Sequence, residues 1–183
     1  MTFSRVMQMR QRSESGALRA TRGVLRALIV LNLGLGVAIG GMLLASFVAE
    51  SWVFAALGVR AGEGRAALVL GMRLMAVLGI AAVPLTHVVL TRLRDIVETV
   101  RQGDAFVPGN ASRLRTIAWA VLGLEVVHLG VGFVASAASS PAQRLDVSWE
   151  LTPTRWVAVL LLFVLAQVFE EGARMREDLE GTV

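Results

Sequence analysis

The chain has 183 residues, a mean hydropathy of +0.65 and only 17% charged residues, whereas soluble globular domains carry roughly 25%, so the composition indicates an integral membrane protein. The formal net charge is +4 and every basic residue is arginine; because these arginines flank apolar runs, they indicate topology, and direct nucleic-acid binding is not expected. Cysteine is absent, which excludes disulfides, thiolate catalysis and cysteine-ligated metals.

The chain begins with an arginine-rich segment, residues 1–26, followed by a first apolar run, residues 27–49. This run fits the roughly 20 residues that cross a bilayer and exceeds the roughly 7 to 15 apolar residues of a signal peptide. No A-x-A cleavage site ends it. We therefore expect a retained first span.

The second apolar run, residues 66–90, contains Arg73, Pro84 and His87. Apolar residues then continue at the i, i+3, i+4 and i+7 positions of a helix, as Leu93, Ile96, Val97 and Val100. This spacing predicts that the second span extends beyond the membrane as a cytoplasmic helix.

The polar stretch "RQGDAFVPGN", residues 101–110, follows this helix. Gly103 suits the end of the helix, Pro108 turns the chain, and Asn110 is predicted to cap the next helix. Phe106 is a large apolar side chain within this loop and a candidate for contact with the interface or a partner. The stretch does not contain a catalytic nucleophile together with a general base. We therefore predict that it is a connecting elbow, and we predict no enzymatic activity.

The third apolar run, residues 116–138, contains Glu125 and His128, and the fourth, residues 154–169, is the shortest. An acidic tail, residues 170–183, ends the chain. Four runs of this kind predict an all-α integral membrane four-helix bundle.

The orientation follows from the arginines, which concentrate before the first run and between the second and third. Basic residues stay on the cytoplasmic side, so both termini and the central loop are predicted to be cytoplasmic. Four tryptophans near the ends of the runs agree with interfacial anchoring: they are Trp52, Trp119, Trp149 and Trp156.

Ionisable residues inside spans are functional candidates. At 1.5 Å per residue, Arg73, Glu125 and His128 all fall near mid-membrane, which predicts a polar cluster with an Arg73–Glu125 pair beside His128. The cluster has a structural interpretation as mutual neutralisation, and a functional one as a proton or ion path. Glu125 and His128 also have the E-x-x-H spacing of half a metal site, but a metal would need further ligands. The only other histidine is His87, which is predicted to lie near the inner face. We therefore predict no metal and no cofactor.

The tail has two interpretations. It is either a solvated helix end paired with Arg113 or Arg115, or a docking site for a basic partner. Its acidic residues are Glu170, Glu171, Glu177, Asp178 and Glu180.

Two stretches carry a family resemblance: "LRDIVETVRQGDAFVPGNASRLRTIAWAVLGLE" and "LLLFVLAQVFEEGARMREDLEGTV". They resemble the signature regions of a bacterial membrane family, domain of unknown function 2975 (DUF2975), and the resemblance extends over the second to fourth spans. The matching positions are Gly103, Phe106, Asn110, Arg113, Leu114, Arg115, Phe169, Gly172, Asp178, Glu180, Thr182 and Val183.

The family that the chain resembles has no established enzymatic activity to transfer to it. The resemblance implies a location in the bacterial inner membrane and a small helix-turn-helix regulator as partner, because such regulators are often encoded beside family members. An acidic tail at the membrane surface suits the basic DNA-binding face of such a regulator. The candidate contact residues are Phe106, Glu170, Glu171, Met175, Glu177, Asp178, Leu179 and Glu180.

Two other function classes remain open at this stage. One is a small transporter that uses Arg73, Glu125 and His128 as a polar path. The other is a structural or lipid-binding membrane subunit. A second copy of the chain is a further candidate partner, because Gly36 and Gly40 form a G-x-x-x-G face that suits close helix packing.

Overall fold

The computed structural model describes the backbone of residues 2–58, 64–102, 107–139 and 152–180. It describes side chains over 21–58, 64–102, 107, 109–139 and 152–178. Within these ranges the regular elements are five helices. They are α1 (Thr2–Val48), α2 (Glu50–Ala56), α3 (Arg65–Arg101), α4 (Pro108–Ala138) and α5 (Pro153–Glu180).

The four long helices are the predicted spans. Stretches long and apolar enough to cross a membrane are Thr21–Val48, Arg65–Arg101, Gly109–Ala138 and Pro153–Asp178. The all-helical, four-span prediction is therefore confirmed, and the protein is a multi-pass membrane protein. The second span also continues without a break to Arg101, as its apolar stripe predicted, and α3 passes through Pro84.

The long helices are antiparallel and contact one another in chain order, α1 with α3, α3 with α4, and α4 with α5. In the described part of the chain, α1 makes no substantial contact with α4 or α5. The bundle is therefore an open row of helices. The elbow end, where α3 ends and α4 begins, also holds the part of α1 around Arg22 and the last turns of α5. We call the other end the α2 end.

Small residues lie where neighbouring long helices touch. Gly36 of α1 packs against Val83, and Gly71 of α3 packs against Ala138. Because lipid is as apolar as the helices, close approach through small residues stabilises such contacts more than hydrophobic burial does. The large apolar side chains accordingly point outward to lipid, and Val37 is 77% exposed.

Local details differ from the sequence predictions in two places. Helix α2 was not predicted, because seven residues are too few for a clear periodic pattern. Asn110 does not cap α4, because Val107 is the capping residue and Pro108 begins the helix, where its fixed φ is compatible with the first turn. The acidic tail continues α5 as a helix as far as Glu180, which agrees with the interpretation of the tail as a helix end.

Candidate functional site

Arg73 of α3 is held at the α2 end by three kinds of contact. Its Nη2 atom donates to Glu50 Oε2 at 2.9 Å and to the Ser46 carbonyl at 2.5 Å, and its Nε donates to Ser46 Oγ at 3.2 Å. Its guanidinium lies 4.2 Å from the ring centroid of Phe47 and 5.7 Å from that of Phe54. Arg73 thus fastens α2 and the end of α1 to α3.

Helix α2 supplies the apolar half of this arrangement. Phe54 is 2% exposed and packs in a small core with Leu68, Val69 and Met72. A cavity of about 30 Å³ lies beside Arg73 and is lined by residues of α1, α2 and α3. This volume holds about one water molecule. Arg73 is engaged by Glu50, by Ser46 and by two aromatic rings, so the arrangement is that of a structural clamp.

Glu125 of α4 faces a different arginine from the one expected. Its Oε2 atom lies 3.8 Å from Arg155 Nη1, and the Glu125 side chain is 18% exposed. His128, one turn further along α4, has a buried Nε2 atom without a hydrogen-bond partner. The same holds for His87 Nδ1 on α3. Over the described residues, no group of three or more His, Asp or Glu side chains is arranged to hold a metal.

The predicted Arg73–Glu125 pair is not formed, so that interpretation is wrong. Gly71 packs against Ala138, which makes Arg73 level with about residue 136 of α4. Glu125 is about eleven residues further along, or about 16 Å along the helix axis. Counting residues from the end of each apolar run places Arg73 and Glu125 at similar depths. Their actual relative depth is decided by the register of α3 against α4.

The register of α4 against α5 explains why Arg155 is the partner. Arg115 Nη2 contacts Glu170 Oε2 at 2.6 Å, and the Trp119 and Phe163 ring centroids are 5.3 Å apart. Continuing this antiparallel register makes Arg155 level with about residue 127, the midpoint of the third apolar run. Helix α5 therefore begins about nine residues, or about 14 Å, short of the end of α4.

Arg155 was not recognised as a site residue from the sequence. The signal that was available is the shortness of the fourth run, residues 154–169. About 16 residues of helix extend only about 24 Å. When α4 and α5 are aligned at the elbow end, α5 is too short to reach the level at which α4 ends. Its first arginine, Arg155, therefore lies level with the middle of the third apolar run.

At the elbow end, a hydrogen-bond network joins α3 to α4. Asn110 is completely buried; its Nδ2 donates to Thr99 Oγ1 at 2.8 Å, and its Oδ1 accepts from Arg113 Nη1 at 2.8 Å. Arg22 of α1 forms an ion pair with Glu98, which also pairs with Arg101 at 2.9 Å. These contacts fix the start of α4 against the end of α3.

The acidic end of α5 presents two faces, because residues spaced i, i+4 and i+7 share one side of a helix. The inner face carries Glu170 and Glu177, which line a groove of about 240 Å³ between α4 and α5. The outer face carries Glu171, Met175 and Asp178, all exposed. We call this trio the outer acidic face.

Acids on both faces contact arginines. Glu170 is engaged by Arg115 of α4 at 2.6 Å, as one interpretation of the tail predicted. Glu171 is 3.7 Å from Arg174, one turn along its own helix. Met175 is 56% exposed between the acids of the outer face. Three predicted contact residues lie outside the described side chains: Phe106, Leu179 and Glu180.

Comparison with known proteins gives one family. A family model described as "Protein of unknown function (DUF2975)" matches residues 47–183, from the end of α1 to the end of the chain. No curated protein and no solved structure matches.

Proposed function

This chain belongs to the DUF2975 family, and on that premise we propose that it is a membrane-anchored regulatory partner that captures a small helix-turn-helix transcription regulator. The outer acidic face of α5 is the observation that carries the proposal. The family resemblance implies a partner of this class, and its setting is the bacterial inner membrane.

The position of the outer acidic face suits a partner that arrives from water. Past Phe169, α5 continues to Glu180, which is about 16 Å of helix beyond the fourth apolar run. The Arg115–Glu170 contact ties this extension to α4 at its base. A protein that approaches the elbow end therefore meets a fixed helix that presents acidic side chains.

The chemistry of the face also suits a DNA-binding domain. Glu171 and Asp178 flank Met175 on one side of the helix. A regulator's DNA-binding face is basic, and acids in this arrangement compete with DNA phosphates for it. Charge alone gives weak and salt-sensitive binding, so a flexible apolar side chain such as Met175 supplies the central anchor.

A capture experiment tests the proposal. Detergent-solubilised protein is immobilised and offered the product of an adjacent small helix-turn-helix regulator gene, where one is present, at low and at physiological salt, with and without operator DNA. We expect capture that DNA competes away. A variant with Glu171→Gln, Met175→Ala and Asp178→Asn is expected to lose capture.

The matched comparison neutralises one acid on each face, Glu177→Gln on the inner face and Glu171→Gln on the outer face, and leaves the Arg115–Glu170 contact intact. The inner-face variant is expected to keep most of the capture. An equal loss of captured regulator in both variants would show that capture depends on overall negative charge and not on the outer acidic face. Undiminished capture by the outer-face variant would refute the proposal.

A second candidate function is movement of a proton or small ion through the membrane. It is favoured by the Glu125–Arg155 pair near mid-depth and by the buried, unpartnered Nε2 atom of His128 one turn away. Replacing Glu125→Gln separates the two functions. Flux into liposomes would fail in this variant if transport is the function, whereas capture of the regulator would be unaffected.

A further inference from the structure

The Arg22–Glu98 ion pair sets the relative position of α1 and α3 at the elbow end. The two helices are antiparallel, so moving one turn toward the membrane means four residues forward on α1 and four residues back on α3. These steps lead from Arg22 to Arg26 and from Glu98 to Arg94. Because residues four apart share a helix face, Arg26 and Arg94 lie on either side of the α1–α3 seam, one turn below the ion pair.

Both arginines are exposed, and in the described part of the chain neither forms an ion pair. The acidic residue next to Arg94 in sequence is Asp95, but its carboxylate lies 4.0 Å from Arg92 and forms an ion pair with that residue. Two adjacent guanidinium groups repel each other unless an anion lies between them. The seam therefore carries positive charge that the described residues do not neutralise.

The depth of the two arginines matches that of lipid headgroups. The first apolar run begins directly after Arg26, and the second ends at Leu90, one turn before Arg94. In the first turn of α1 beyond Arg26, apolar side chains such as Leu28 and Val30 are exposed. A phosphate at this level has its acyl chains alongside an apolar helix surface.

We infer that Arg26 and Arg94 form a binding site for the phosphate of an anionic phospholipid. A guanidinium binds phosphate through two parallel N–H donors, so two arginines on neighbouring helices hold one phosphate from both sides. A lipid with a net negative charge neutralises the pair, whereas the phosphate of a zwitterionic lipid is already balanced by its own ammonium group. The bound lipid bridges α1 to α3, and this role is independent of regulator capture.

The test measures thermal unfolding in a nonionic detergent while lipid is titrated. Phosphatidylglycerol, phosphatidylcholine and inorganic phosphate are added at equal phosphate concentration. We expect phosphatidylglycerol to raise the melting temperature more than either of the others. In the variant R26Q/R94Q the additional rise is expected to disappear, with each arginine contributing about fivefold to the apparent affinity.

The matched control is R65Q/R174Q, which loses the same charge at positions of α3 and α5 that lie away from the seam. It is expected to keep the phosphatidylglycerol effect, with each variant compared with its own lipid-free melting temperature. An unchanged effect in R26Q/R94Q, an equal loss in the control, or an equal rise with inorganic phosphate would each overturn the inference. If the double variant does not fold, the single variants R26Q and R94Q are titrated, and unchanged midpoints in both would also overturn it.

Discussion

Arg73 of α3 donates a hydrogen bond to Glu50 of α2 at 2.9 Å, although the two residues are 23 positions apart in sequence. The same guanidinium lies over the Phe47 ring and bonds to Ser46. Arg73, which the sequence predicts to be part of a mid-membrane polar cluster, is therefore engaged in holding α1 and α2 against α3.

Replacing Arg73→Lys is expected to lower the free energy of unfolding by about 1–3 kcal/mol. Lysine keeps the charge but cannot contact Glu50, Ser46 and two aromatic rings with one planar group. Thermal or denaturant unfolding in detergent measures the change. Arg65→Lys at the start of the same helix is the control, and equal effects of the two replacements would show that Arg73 is not a clamp.

Replacing Gly71→Ala is expected to destabilise the contact between α3 and α4 by about 1–3 kcal/mol. The new methyl group would overlap the Ala138 side chain, and a backbone atom of Ala138 lies close behind it, so the helices must separate slightly. Gly40→Ala is the matched control because, apart from the neighbouring backbone of its own helix, no atom of the described residues lies within 4 Å of its added methyl group. We expect Gly40→Ala to leave the melting temperature unchanged or to raise it.

Replacing Asn110→Ala is expected to loosen the elbow end. The substitution leaves the hydroxyl of Thr99 and the guanidinium of Arg113 without their bonds to Asn110, and an unsatisfied buried group costs about 1–3 kcal/mol. Amide hydrogen exchange in the last turn of α3 and the first turn of α4 should increase. Ser112→Ala, an exposed change in the same turn, should leave this exchange unaffected.

The arginine distribution predicts that the elbow end is cytoplasmic, and two serines provide a test. Ser51 of α2 and Ser112 of α4 are both exposed and lie at opposite ends of the molecule. In a chain that has no cysteine, Ser51→Cys should react with an impermeant maleimide on intact cells. Ser112→Cys should react only after permeabilisation, and the reverse pattern would invert the predicted topology.

Several features of the site were predictable to different degrees. The exposed positions of Glu171, Met175 and Asp178 follow from the abrupt change to polar residues after Phe169. The contact of Glu170 with Arg115 was one of two stated alternatives for the tail. The burial of Asn110 against Thr99 was not predicted, because the sequence around Asn110 fits a helix cap equally well.

The amino-acid sequence by itself determined the four spans, the continuation of the second span and the family. These properties are sums over a single segment, because about 20 apolar residues cross a bilayer whatever lies next to them. Only the tertiary structure decided that Arg73 pairs with Glu50 and that Glu125 faces Arg155. Such partners depend on the register between helices, and two arginines that look equivalent in sequence are placed at different depths by the helix against which each one packs.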